Sequence, residues 1–197
     1  MIVILMVIIA FMFGSIPSGY ILTKKYCGID IRTQGSGNIG STNVKRIVGK
    51  KIAGMTQAMD IIKGVIPVLI GIVISHYVSL PFDVNVFLSI ISIAVILGHD
   101  YTPFLGFNGG KGVNTTIVAF ALTAFIPTLS GVIIYFLLKH VTNIVSIRSM
   151  MLGLTIPILS LIIGIDKPIV MASAIASVIM IYRHKDNIKR IINKQEK

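Results

Sequence analysis

The sequence predicts an all-α polytopic membrane protein with seven short transmembrane helices, the N-terminus outside and the C-terminus cytoplasmic. Two observations carry that prediction. Of 197 residues, 54% are hydrophobic and 13% charged, with a mean hydropathy of +0.90, which is more apolar surface than a soluble domain can hide. The 18 Lys and Arg residues also avoid the apolar stretches, and a seven-fold crossing puts all of them except Lys167 on one side.

Apolar stretches cover about 1–22, 53–80, 84–98, 113–138, 150–165 and 168–182. No basic residue precedes the first, and Lys24 and Lys25 follow it, so it reads as an uncleaved span entering the cytoplasm rather than a signal peptide. Residues 113–138 would make about 39 Å of helix. Pro127 and Gly131 offer a break there, so the stretch reads as two short helices joined near 127. Left unbroken, it would put Arg183, Lys185, Lys189 and Arg190 outside, against the charge rule. With the N-terminus outside, the loops carrying Lys24 to Lys51, Lys111, Lys139 and Arg148 face inward, as does the tail from Arg183 to Lys197. Lys63 joins them by snorkelling. The chain forms one domain, 1–197, and its single Cys27 excludes an intrachain disulfide. A net charge of +11 confined to short loops suits anionic lipid headgroups and phosphorylated substrates better than nucleic acid.

Three inner segments hold the candidate chemistry. In the first, Ile29 to Lys51, Gly35, Gly37 and Gly40 can present backbone N–H groups. Ser36, Asn38, Thr42 and Asn43 add small polar side chains, and Lys45 and Arg46 add charge, a composition suited to tetrahedral oxyanions. It is neither a Walker loop nor a dinucleotide fingerprint. In the second, Gly98 to Gly112, Gly109, Gly110 and Gly112 bracket Lys111, giving a second anion nest. His99 can orient a phosphate, shuttle a proton or cap its helix, and no further histidine stands at metal-ligand spacing. Asp60 and Lys63 lie one turn apart within an apolar span; they support the site or simply pair. The third segment carries Lys139, Thr142, Ser146, Arg148 and Ser149, and the tail adds Asn187; Ser146 and Asn187 can donate to phosphate or act as caps.

On longer signatures the chain resembles the bacterial acyl-phosphate-dependent glycerol-3-phosphate acyltransferases. The signatures are GSIPSGYI at 14–21, GSGNIGSTNVKR at 35–46, MDIIKG at 59–64, GHDYTPFLGFNGGKG at 98–112, TNIVSIRS at 142–149 and RHKDNIKR at 183–190. The HxxxxD box of other acyltransferases is absent, since Phe104 stands five residues after His99. The resemblance implies acyl transfer from acyl phosphate to the 1-hydroxyl of sn-glycerol 3-phosphate, the entry step of phospholipid synthesis. It implies phosphate binding by Ser36, Asn38, Thr42 and Arg46 and substrate contacts from His99, Lys111, Ser146 and Asn187. Taken with the reading of the loops, Ser36, Arg46, His99 and Lys111 are the expected catalytic positions, Gly35, Gly37, Gly40, Asn43, Gly109 and Gly110 further phosphate or substrate contacts, and Asp60 and Lys63 supporting residues. Departures stand at Asn108, where lysine is common, at Asn114, where alanine usually precedes threonine, and at Asn143, where arginine is frequent.

The expected setting is a bacterial plasma membrane with the site facing the cytoplasm. Membrane lipid, glycerol 3-phosphate and acyl phosphate are the expected partners, with no nucleic acid, metal, organic cofactor or obligatory protein partner. An acyl phosphate is already activated, so no acyl-enzyme is required, and no Ser-His-acid triad or cysteine nucleophile emerges. A transporter of a phosphorylated metabolite is the second class considered, but the chain lacks inverted repeats and an outer anion site.

Overall fold

The computed structural model describes residues 1–196; Lys197, counted above with the basic tail, lies outside them. Its α-helices are α1 (Ile2–Gly14), α2 (Ser18–Cys27), α3 (Ser41–Val48), α4 (Lys50–Tyr77), α5 (Val84–Asp100), α6 (Val113–Ala121), α7 (Phe125–Leu137), α8 (Val145–Ile162), α9 (Lys167–Arg183) and α10 (Lys185–Ile192).

The all-α membrane architecture stands, but the expected seven spans do not. Among the described residues four helical segments are long and apolar enough to cross a bilayer: Ile2–Cys27, Lys50–Tyr77, Val84–Leu105 and Val145–Ile162. Apolar stretches alone do not make spans, since a crossing needs about 20 residues of helix. The stretch 113–138 divides into α6 of 9 residues and α7 of 13, and α9 has 17. Termini on opposite sides require an odd number of crossings, so that expectation falls with the count. The division itself lies between Ala121 and Phe125 rather than near 127. Pro127 sits instead in the first turn of α7, where its missing N–H would have had no helical partner.

The first span is interrupted at Ser15–Pro17, between α1 and α2, and the carbonyls released there find partners on other helices. Thr102 donates its hydroxyl to Ser15 O at 2.6 Å, and Lys63 donates its ammonium to Ile16 O at 2.6 Å. These bonds tie the break to α4 and to the end of α5, satisfying groups that no water reaches in a bilayer.

Close packing of α1 on α5 needs glycine on both sides. A Cβ on Gly14 would lie 2.1 Å from Val95 O, and one on Gly98 would lie 2.1 Å from Phe11 O. The main core then closes around Phe87, Ile91, Val95, Phe120, Leu152 and Ile156. A second cluster of Leu22, Ile31, Ile39, Val44, Ile52 and Leu105 anchors the first glycine-rich loop and α3 against α2 and α4. Ile4, Ile8, Leu69, Val73, Leu161 and Val178 remain exposed, as expected of lipid-facing positions.

Since the clash at both crossing glycines is with backbone, Gly14→Ala and Gly98→Ala must separate α1 from α5. Each is expected to destabilise the protein by about 1–3 kcal/mol, read as a lowered melting temperature in detergent. Gly54→Ala, where a Cβ meets nothing within 4 Å, serves as the neutral control.

Candidate active site

The first loop is organised by one buried amide. Asn43 accepts from Ser36 N at 3.0 Å through Oδ1, and its Nδ2 donates to Gln34 O at 3.0 Å and Asn38 O at 2.9 Å. Asn38 in turn accepts from Gly40 N at 2.8 Å. Gly35, at φ +58°, passes so close that a Cβ would sit 2.4 Å from Asn43 Oδ1. Asn43 thus shapes the loop from within, while Ser36, Asn38, Thr42 and Arg46 line a cavity of about 740 Å³ beside it.

The second loop folds back on the end of α5. Gly109 N donates to Asp100 O at 3.1 Å and Gly110 N to His99 O at 2.9 Å. A Cβ on Gly110 would fall 2.0 Å from His99 Nε2, so the glycine gives the imidazole its space. The outer side of the turn is held by Arg183, whose Nε donates to Gly110 O at 3.0 Å and whose Nη2 donates to Gly109 O at 3.1 Å. The same guanidinium lies 5.0 Å from the Tyr101 ring centroid. Lys111 is thereby aimed at the cavity, where it donates to Asn187 Oδ1.

Below the loops, Asp60 and Lys63 pair at 3.0 Å and are both buried. His99 Nδ1 lies 3.9 Å from Asp60 Oδ1, so the acid stands between the lysine that closes the α1–α2 break and the cavity histidine.

An internal anion occupies the polar end of the cavity. Glu196 accepts from Ser146 Oγ at 3.2 Å, from Asn187 Nδ2 and from Arg190 Nε at 2.5 Å. Burial opposes its ionisation, yet the bonds to Arg190, Asn187 and Ser146 hold its carboxyl below the usual range. Nearby, burial and then the charge of Arg190 press Lys111 down to about 8. Burial also lowers His184 to about 4; its bond to Met180 O opposes the shift and the charge of Lys111 adds to it. Ile117, Val118, Val132, Phe136 and Leu152 give the same cavity an apolar lining.

Of the residues expected at the site, Ser36, Asn38, Gly40, Thr42, Asn43, Arg46, Asp60, His99, Lys111, Ser146 and Asn187 line this one cavity. Gly37 and Gly109 border an adjoining basic recess of about 430 Å³. Gly35, Gly110 and Lys63 line neither: the two glycines act through backbone shape, and Lys63 through its bond to Ile16 O and its ion pair with Asp60. Sequence reasoning did not single out His184, Arg190, Arg183 or Glu196. The first two have a signal, since His184, Asn187 and Arg190 recur every three residues from the N-cap of α10 to its last turn and therefore share a face.

Residues 4–194 match the family described as Glycerol-3-phosphate acyltransferase. A glycerol-3-phosphate acyltransferase of Clostridium acetobutylicum is 55% identical over 100% of this chain and 99% of its own. One of Bacillus subtilis is 36% identical over 100% and 97%. Two crystal structures of PlsY (YgiH), an integral membrane glycerol 3-phosphate acyltransferase, superpose with TM-scores of 0.91 and 0.89 at 30% and 29% identity, covering 100% of this chain and 95% of theirs. A cavity lined by both an anion cradle and apolar side chains, together with matches along almost the whole chain, leads to one conclusion: this protein belongs to the glycerol-3-phosphate acyltransferase family.

Proposed function

We propose that this cavity transfers an acyl group from acyl phosphate to the sn-1 hydroxyl of glycerol 3-phosphate at the cytoplasmic face of the membrane. The products are 1-acyl-sn-glycerol 3-phosphate and inorganic phosphate. The observation that carries the reading is the Glu196 carboxylate held by Ser146, Asn187 and Arg190 beside Lys111, in a cavity that also has an apolar lining. A water-borne phosphate and a lipid-borne acyl chain need that combination. The solved relatives agree: one is a glycerol 3-phosphate form and the other a lysophosphatidic acid form, molecules that differ by one acyl chain. The clustering of basic residues in the loops that build the cavity supports its cytoplasmic exposure.

In this reading Lys111, Asn187, Ser146 and Arg190 hold the acceptor phosphate in place of Glu196. Ser36, Asn38 and Arg46 bind the donor phosphate from the opposite loop, and the cations offset the charge that grows on it. The acceptor oxygen attacks the acyl carbonyl carbon, the carbon–oxygen bond to phosphate breaks, and the departing phosphate takes the hydroxyl proton. No side chain need act as a base, and His99 positions the reactants from beneath the GGKG turn.

The defining assay incubates the purified protein with radiolabelled glycerol 3-phosphate and either palmitoyl phosphate or palmitoyl thioesters; lysophosphatidate should form only from the phosphate. Lys111→Ala should abolish turnover while His99→Gln keeps most of it, and the reverse order would make the histidine an obligatory base.

Lys111 is charged below its pKa of about 8 and neutral above it. The kcat/KM for glycerol 3-phosphate should therefore be flat with respect to this group below pH 8 and fall towards tenfold per pH unit above it. Lys111→Arg should remove that fall while preserving a cation.

Glu196 competes for the acceptor subsite, so Glu196→Gln should lower the KM for glycerol 3-phosphate several-fold with little change in kcat. A raised KM would instead show that the carboxylate supports the site.

A further inference from the structure

Arg148 stands inside the apolar helix α8, only 8% exposed, and on the wall of the cavity. Among the described residues it makes no ion pair, and its Nε has no hydrogen-bond partner. Its recorded contact is the face of Tyr135, whose ring centroid lies 4.8 Å from the guanidinium carbon. A buried guanidinium without a counter-charge is costly in a membrane span, and such a residue marks a functional site by default. The ring attracts the cation but leaves its net charge unbalanced.

What would balance it follows from the surroundings. Val132 and Tyr135 on α7, and Leu152 one turn beyond Arg148 on α8, make this part of the wall apolar, while Ser149 adds one buried hydroxyl. The ligand that fits carries both an anionic head and a hydrocarbon chain. Glycerol 3-phosphate has no hydrocarbon chain; acyl phosphate has one.

We propose that Arg148 is a donor-binding residue. Its guanidinium, held against Tyr135, donates to oxygens of the acyl phosphate head and fixes where the acyl chain enters the apolar wall. This assignment rests on the acyl-transfer reading above and adds a third cation to those of the two loops.

The test uses Arg148→Met, which keeps an unbranched side chain against Tyr135, and Tyr135→Leu, which removes the stacking face. Donor KM, acceptor KM and the rise in melting temperature produced by palmitoyl phosphate are measured on purified protein. The expected result for Arg148→Met is a donor KM raised at least about tenfold with acceptor KM unchanged, and loss of the stabilisation by palmitoyl phosphate. Tyr135→Leu should move donor KM the same way, and it decides the matter if Arg148→Met does not fold. An unchanged donor KM with stabilisation retained, or a rise confined to acceptor KM, overturns the assignment. Should the wild type be stabilised by palmitoyl phosphate yet form no lysophosphatidate, the acyl-transfer reading fails, and the stabilisation of the variant still decides the role of Arg148. A wild type that palmitoyl phosphate does not stabilise overturns the assignment as well.

Discussion

The bond from Lys63 to Ile16 O is the constraint on which much of this molecule depends. A span broken at Pro17 loses the regular helical pairing of its carbonyls, and in hydrocarbon under-satisfied groups destabilise any fold that exposes them. Lys63 answers one of them and Thr102 another, so α4 and the end of α5 are registered against the break. The lysine charge then requires Asp60, and Asp60 stands beside His99 under the second loop. A defect in one helix thus fixes the height of the imidazole and of the glycines that pack on it.

Above that layer, backbone does what side chains do in most binding sites. The first loop owes its shape to the Asn43 amide, and the second to two bonds onto the end of α5 and two from Arg183. Glycine is needed where these strands of chain touch: at Gly109 and Gly110 a Cβ would meet His99 at 2.0 Å. Rigid turns of this kind hold Lys111 and Ser36 at fixed positions, so little ordering remains for substrate to bring about.

The constellation was largely legible in the sequence because polar residues inside so apolar a chain have few roles. Ser36, Arg46, His99, Lys111, Ser146 and Asn187 do meet around one cavity. The span count was not legible, since mean hydropathy does not register where a helix ends: residues 113–138 stay apolar through the turn between Ala121 and Phe125. Nor does composition tell Asn43, which organises a loop from inside, from Asn38, which lines the cavity. Arg148 was read as one more inner basic residue. Only packing reveals that it faces Tyr135 and makes no ion pair among the described residues.

The surplus of positive charge explains why the site suits anions and also why it does not collapse without them. Arg183 is held by carbonyls and an aromatic face, Arg190 by Glu196, and Arg148 by a ring. Lys111 yields part of its charge instead, as burial and its cationic neighbours press its pKa down to about 8. Each device makes the empty site tolerable without cancelling its field. A phosphate entering the cavity replaces a single carboxylate with a group able to accept from several donors at once. Binding of the acceptor should then restore the full charge of Lys111, which places that charge beside the reacting phosphates when the acyl bond to phosphate breaks.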